Sequence, residues 1–99
     1  LKGSVKLDIN VDLDIGKYKQ HSNASCAGQM IRDIGKVSLS KAKKICDKDP
    51  KCNCITRMDK KFGGMPKGNF RLERAPKTGS KVNKRSGSRY SGYFTAFTK

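Results

Sequence analysis

The first stretch of the chain alternates strictly between apolar and polar residues. Apolar side chains occupy the odd positions from Val5 to Ile15, and Lys, Asp or Asn occupies each even position between them. Because successive side chains of a β-strand point to opposite faces, this period of two predicts a long strand with one buried face. We expect the strand to cover residues 5–15, to end at Gly16, and to pair at a sheet edge or along a partner molecule.

A helical period follows in residues 37–50. Ser38 suits the N-cap, because its hydroxyl can accept a hydrogen bond from a free backbone N–H of the first turn, and Val37 can pack against Ala42 as a hydrophobic staple. Pro50 disfavours helical geometry in the residue before it. We therefore expect a helix that begins at 37–39 and ends at 45–48. Its apolar face contains Leu39, Ala42, Ile45 and Cys46, and its opposite face contains Lys41, Lys43, Lys44 and Lys48.

The remaining pattern predicts several strands joined by polar loops. Residues 54–58, 69–73 and 90–98 suit strands, the last because of its aromatic and β-branched side chains. Residues 17–25 are expected to form a polar connection, and 30–34 a short strand or turn. Glycine and proline mark a loop at 63–68, and residues 77–89 are expected to form a flexible basic loop. The order predicts an α+β fold: one domain over residues 1–99, with a small antiparallel sheet crossed by one helix.

The cysteines indicate how so small a domain is stabilised. The chain has 99 residues, 34% hydrophobic content, no Trp and four Cys, which is typical of small domains that depend on disulfides. Four cysteines allow three pairings. The alternative is a zinc site built from Cys46, Cys52, Cys54 and either Cys26 or His21. A Cys-x-Cys pair on a predicted strand, with no matching second pair, favours disulfides.

The segment from Val37 to Cys52 carries the pattern apolar-Ser-x-x-x-Ala-x-x-x-Cys-Asp-x-Asp-Pro-x-Cys. This pattern resembles the PAN/apple-like superfamily, and Cys26-Ala27-Gly28 and the closing aromatic segment 92–99 agree with it, so that the resemblance covers residues 17–99. Many relatives have a further helix cysteine where this chain has Ala42. The resemblance implies a short Cys46–Cys52 bridge that leaves Cys26 with Cys54; Cys46–Cys54 is the main rival. It also implies a binding module for glycans, heparin-like polymers or proteins, and family members are seldom catalytic.

The charge is strongly and unevenly basic. Lys and Arg number 23 against 8 acidic residues, a net charge of +15, and Glu73 is the only acidic residue between positions 60 and 99. A field of this size attracts polyanions, although it could also serve solubility or general adhesion. Two clusters are the candidate polyanion-binding residues. They are Lys41, Lys43 and Lys44 on the helix, and Lys81, Lys84, Arg85 and Arg89 in the basic loop.

Other candidate chemistry is weaker. The acidic row Asp8, Asn10, Asp12 and Asp14 is spaced like the start of an EF-hand, but Leu13 and Lys19 stand where that loop needs Gly and Glu. His21 has no Ser or Cys nucleophile in a matching arrangement. We expect no metal, no cofactor and no enzymatic activity. Tyr90 and Tyr93 are expected to be partly exposed, and Phe94 to lie in the core.

Cellular location follows from the cysteines and from a glycosylation sequon at Asn23-Ala24-Ser25. Both favour an oxidising secretory route, and no apolar run is long enough to span a membrane. No signal peptide is visible, so the expectation is a secreted protein whose signal segment lies outside this sequence. The predicted function is non-catalytic binding of an anionic partner, foremost sulfated or acidic polysaccharide. The alternatives are a host-defence or toxin protein acting on anionic membranes, a protein–protein adhesion module, and, less favoured, nucleic-acid binding.

Overall fold

The structure, a computed structural model, describes residues 18–75 and 82–99. These residues form a small α+β fold with antiparallel sheets, one helix and two disulfides. The predicted strand at 5–15, the acidic row within it, and Lys81 lie outside the described residues. The elements are β1 (Lys19–Ser22), β2 (Ala24–Cys26), β3 (Gln29–Lys36), α1 (Leu39–Lys48), β4 (Cys54–Met58), β5 (Asn69–Arg74), β6 (Val82–Lys84) and β7 (Phe94–Thr98).

Five strands form the main sheet, in the order β1-β7-β4-β5-β3. Strand β4 is central, so that Thr56 pairs with Arg71 of β5 on one side and with Ala96 of β7 on the other. Strands β2 and β6 pair separately as a two-stranded sheet, which we call the ribbon. The helix and the ribbon pack against different sets of residues on the main sheet, and this arrangement gives the molecule its layers.

The first face of the main sheet packs against α1. The helix begins as predicted: Ser38 Oγ accepts a hydrogen bond from the Lys41 N–H at 3.2 Å. Its apolar face is also as predicted, with Ala42 and Cys46 fully buried and Leu39 and Ile45 packed beside them. From the sheet, alternate residues complete this core, and burial of each large side chain contributes about 1.5–3 kcal/mol. They are Ile55, Phe70, Leu72 and Phe97.

The second face of the main sheet packs against the ribbon. Ala24 and Cys26 of β2 lie with Cys54, Ala75 and Ala96 in a separate buried cluster. These are small side chains, so the two layers approach closely. Between the ribbon and β3, Gly28 lies against the end of β5, where a Cβ would overlap the backbone carbonyl of Arg74 and lie 2.8 Å from the Ala75 nitrogen.

One disulfide joins the ribbon to the first residue of β4, and the other joins the helix to the segment just before β4. Cys26 is bonded to Cys54, and Cys46 to Cys52, which is the pairing that the PAN/apple-like resemblance implied. No free cysteine remains among the described residues, and the zinc alternative is therefore wrong. Two disulfides fit an extracellular or secreted protein.

Several predicted boundaries are wrong. The segment predicted as a polar connection, 17–25, contains β1 and the first two residues of β2, and the short strand or turn predicted at 30–34 is a strand, β3, that is eight residues long. The basic loop 77–89 contains β6. The terminal strand begins at Phe94 instead of Tyr90, because residues 90–93 form a turn in which Gly92 has φ +83°. Strand β1 lies at the sheet edge with mostly exposed polar side chains, so that hydrophobic periodicity could not mark it.

Lys43 does not lie on the exposed basic face predicted for it. Its side chain is 9% exposed, and Nζ lies 5.6 Å from the Tyr18 ring centroid and 5.5 Å from that of Phe97. Tyr18 precedes β1 and packs beside the helix, so the aliphatic part of Lys43 is covered while its ammonium contacts the rings. Burial lowers the pKa of Lys43, although the charge of Asp47 opposes this shift.

Candidate functional site

The two predicted basic clusters lie on opposite sides of the main sheet. Lys41 and Lys44 are exposed on α1, whereas Lys84 and Arg89 are exposed on β6 and the turn after it. Because α1 and the ribbon pack against alternate residues of the same strands, these groups cannot form one site. The ribbon side holds the clearer candidate, since Arg85 there lines a cavity.

This cavity has a volume of about 200 Å³ and lies between the main sheet and the ribbon. We call it the arginine cavity. The main sheet contributes polar, charged and aromatic side chains to it, and the ribbon, its flanking residues and two loops provide the rest. The lining residues are Ser25, Cys26, Gly28, Thr56, Phe62, Arg71, Glu73, Arg85, Tyr90 and Phe94.

Two arginines enter the arginine cavity from different layers. Arg85, directly after β6, donates from Nη2 to Ser25 Oγ at 2.9 Å, and its guanidinium carbon lies 5.3 Å from the Phe94 ring centroid. Arg71, on β5, has only a weak contact from Nη1 to the Met65 sulfur at 3.9 Å. The Nε atoms of both arginines are buried and have no hydrogen-bond partner among the described residues. A buried donor without a partner costs about 1–3 kcal/mol, so an acceptor from water or from a ligand is expected beside these atoms.

Glu73 brings a carboxyl group to the same cavity. It is 3% exposed, and its Oε2 accepts a hydrogen bond from Thr56 Oγ1 at 2.7 Å. Thr56 Oγ1 in turn accepts from the Cys26 N–H at 3.0 Å, which links sheet and ribbon. Burial raises the pKa of Glu73, and the Thr56 hydrogen bond and the Arg71 charge only partly oppose this.

Glu73 forms no ion pair with either arginine. Within residues 18–75 and 82–99 the ion pair present is Arg57–Asp59, at 2.8 Å, and Arg57 stacks on Phe97, a residue of the core beneath α1. The positive charge of Arg71 and Arg85 therefore remains available to a ligand. Burial shifts the pKa of the Glu73 carboxyl upwards, towards its neutral form, which weakens its opposition to an anion held by the two arginines.

Aromatic side chains close one side of the arginine cavity. The Phe62 ring lies 5.0 Å from Tyr90 and 5.5 Å from Phe94, both edge to face. Cations lie over the outer rings: Lys60 Nζ is 5.3 Å from the Tyr93 centroid, and the Arg89 guanidinium carbon is 5.9 Å from that of Tyr90. As predicted, Tyr90 and Tyr93 are half-buried and Phe94 is buried.

Asn23, the predicted glycosylation acceptor, fixes the turn that carries Tyr90. It has φ +56°, and its carbonyl accepts from the Arg85 N–H at 2.9 Å. Its side chain accepts from the Gly92 N–H at 2.5 Å and donates to Ser91 Oγ at 3.2 Å. Asn23 thus holds both Arg85 and the aromatic turn beside the cavity. Glycosylation at this position stays a prediction.

His21 lies apart from the arginine cavity, on β1. Its Nε2 is 2.9 Å from Thr98 Oγ1, and burial, with the charges of Lys19 and Lys84, lowers its pKa. In the part of the chain that the structure describes, no three His, Cys, Asp or Glu side chains are grouped so as to hold a metal ion.

Most of the cavity residues were not predicted from the sequence. Arg71 and Glu73 alternate with Phe70 and Leu72 on β5, which is the pattern of a strand with one solvated face. The sequence did contain one sign that this face is covered. On strands β4 and β7, the residues on the same face as Arg71 and Glu73 are Cys54, Thr56 and Ala96, and none of them is charged. Small uncharged residues at alternate positions indicate a second covered face.

Comparison with known proteins gives no match: no protein-family model, no curated protein and no solved structure is significantly similar to this chain. The PAN/apple-like assignment accordingly remains a prediction. No helix within the described residues has the length and apolar character needed to cross a membrane.

Proposed function

We propose that this protein is a secreted, non-catalytic binding module for anionic ligands, foremost sulfated or otherwise acidic polysaccharide at a cell surface or in a matrix. The single observation that carries the proposal is the pair of buried, unpartnered Nε atoms of Arg71 and Arg85 in one cavity. Sulfates and carboxylates are suitable acceptors for these arginines, because two of their oxygens can accept hydrogen bonds from two N–H groups of one guanidinium.

The long-range charge of the chain supports the same proposal. A net charge of +15 raises the local concentration of polyanions and speeds their capture. Beside the arginine cavity, Lys60 and Arg89 lie over the outer aromatic rings and extend the positive surface beyond its mouth. The two disulfides support secretion, and the resemblance to the PAN/apple-like superfamily supports a binding role; both remain parts of the proposal.

Heparin binding with two charge-matched variants tests the proposal. Arg71→Gln with Arg85→Gln removes two charges at the arginine cavity, and Lys41→Gln with Lys44→Gln removes two from the far side of the sheet. We expect the cavity variant to lose at least tenfold in heparin affinity, because charged hydrogen bonds contribute about 1.5–3 kcal/mol each. Its affinity should also depend less steeply on salt, since fewer counterions are released.

The helix variant is the control for diffuse charge, and calorimetric melting of both variants checks that each is folded. Equal losses in the two variants would mean that heparin responds to net charge alone. Unchanged affinity in the cavity variant would exclude this site from polyanion binding. Leakage of anionic liposomes at low protein concentration would favour the membrane-active alternative, which the buried apolar face of α1 disfavours.

A further inference from the structure

The arginine cavity is small and is bounded on opposite sides. Its volume of about 200 Å³ is below the roughly 300–1,000 Å³ of pockets that hold drug-sized ligands. Strands β4, β5 and β7 form one side and the ribbon the other, joined by the Cys26–Cys54 disulfide, and the Phe62–Tyr90 pair closes a third side. A space of this size suits one small group of a ligand, so a polymer is expected to place its end there and not several consecutive units.

The donors inside the cavity suit one acidic group. A guanidinium has five N–H donors, and its Nε–H and a neighbouring Nη–H together match two oxygens of a carboxylate or sulfate. The described residues accept one hydrogen bond from Arg85 and one weak contact from Arg71. Because Arg85 is held over Phe94 and by Ser25, its donors are oriented before any ligand arrives.

Glu73 and the aromatic rings define the rest of the ligand. The Glu73 carboxyl, fixed by Thr56, suits a ligand hydroxyl, whereas a second acidic group beside it would be repelled when Glu73 is ionised. The half-buried ring of Phe62 suits the apolar face of a small ring. One ring, one acidic group and a hydroxyl together describe an acidic sugar unit.

We infer that the arginine cavity binds the terminal unit of an acidic glycan, a single sugar ring that bears one carboxylate or sulfate, and not the interior of the chain. The inference rests on the proposed function, since the same two arginines carry both. It assigns the cations over the outer aromatic rings, Lys60 and Arg89, to the following units of the glycan.

The test observes the arginine side chains directly. In ¹⁵N-labelled protein, the Nε–Hε signals of Arg71 and Arg85 are assigned by their loss in Arg71→Lys and Arg85→Lys. D-glucuronic acid, D-glucose 6-sulfate and neutral D-glucose are then titrated. We expect saturable shifts of both signals with at least one acidic sugar and none with glucose, and the two acidic sugars identify which acid is preferred. In Arg85→Lys, affinity for that sugar should fall at least tenfold, because an ammonium cannot donate the two parallel hydrogen bonds that a guanidinium gives to one acidic group.

The outcomes separate this inference from the proposed function. Heparin binding without any response of these signals to either acidic sugar overturns the inference and leaves polyanion binding intact. Equal shifts with D-glucose also overturn it. Saturable binding of an acidic sugar without heparin binding supports the inference and overturns the polysaccharide function. The decisive shifts are measured on the unsubstituted protein, so they do not depend on how well a variant folds.

Discussion

Glu73 is the residue whose protonation decides how basic the arginine cavity is. A carboxylate there would partly cancel the charge of Arg71, but burial works against the carboxylate and raises the pKa of Glu73. Because the folded-state pKa lies above the unfolded-state value, the resulting stabilisation is complete below the unfolded-state pKa. It is lost as pH rises through the folded-state pKa. Anion affinity should follow the same direction, since neutral Glu73 does not repel the ligand.

Replacement of Glu73 by Gln tests this charge balance. Gln keeps an oxygen that can accept from Thr56 but cannot ionise, so Glu73→Gln should melt at a higher temperature than the parent at pH 7–8. The difference should disappear below the carboxyl's unfolded-state pKa of about 4.3. Affinity for an acidic sugar should rise with the substitution at pH 7, and the parent's affinity should rise as pH falls. Melting curves and titrations at both pH values measure the two effects, and a variant less stable than the parent at pH 8 would contradict the prediction.

Among the elements, the helix was the most predictable from the sequence. Its cap, its period and its termination are local, so that Ser38, Ala42 and Cys46 could be placed without knowledge of the rest of the chain. Lys43 was the exception, because its burial depends on Tyr18, which lies 25 residues away along the chain. Local patterns specified the backbone of this element but not which of its lysines reach solvent.

Loss of the N-cap should cost α1 a measurable share of its stability. Ser38→Ala removes the acceptor of the Lys41 N–H and should lower the free energy of unfolding by about 1 kcal/mol. Ser40→Ala is the matched control: Ser40 is exposed within α1, and Ala is the better helix former, so stability should stay the same or rise slightly. Urea unfolding of both variants measures this, and equal effects would mean that Ser38 does not act as the cap.

The strands were less predictable because their burial is set by distant parts of the chain. Strand β2 has three buried residues, Ala24, Ser25 and Cys26, yet small and polar side chains carry no hydrophobic period. Strands β1 and β6 are short and mostly exposed. The arginine cavity could not be predicted without the ribbon strands β2 and β6, because it exists only where the ribbon covers Arg71 and Glu73. Sequence reasoning therefore found Arg85 but not the residues opposite it.

At the scale of the whole molecule, the main sheet separates two basic surfaces and two cores. On the helix side, the core lies beneath α1, and Lys41 and Lys44 are exposed. On the ribbon side lie the arginine cavity and the buried cluster that contains Ala24 and Ala96. One disulfide lies on each side. Cys46–Cys52 joins the end of α1 to the segment before β4, and Cys26–Cys54 joins the ribbon to β4 itself. The two bonds therefore have separable roles.

Removing each disulfide should affect stability and binding differently. The closed loops span 28 and 6 residues, for which the chain-entropy model gives about 3.6 and about 2.2 kcal/mol of stabilisation. The pair Cys26→Ser with Cys54→Ser should lose more stability and also lose binding of the acidic sugar, because the ribbon is no longer held against β4. The pair Cys46→Ser with Cys52→Ser should lose less stability and keep the affinity of its folded molecules. Urea unfolding and sugar titration, made where both variants remain folded, give the two readouts. Retained binding after loss of Cys26–Cys54 would show that the ribbon is positioned by packing alone, since Ala24 and Ala96 would then suffice to form the cavity.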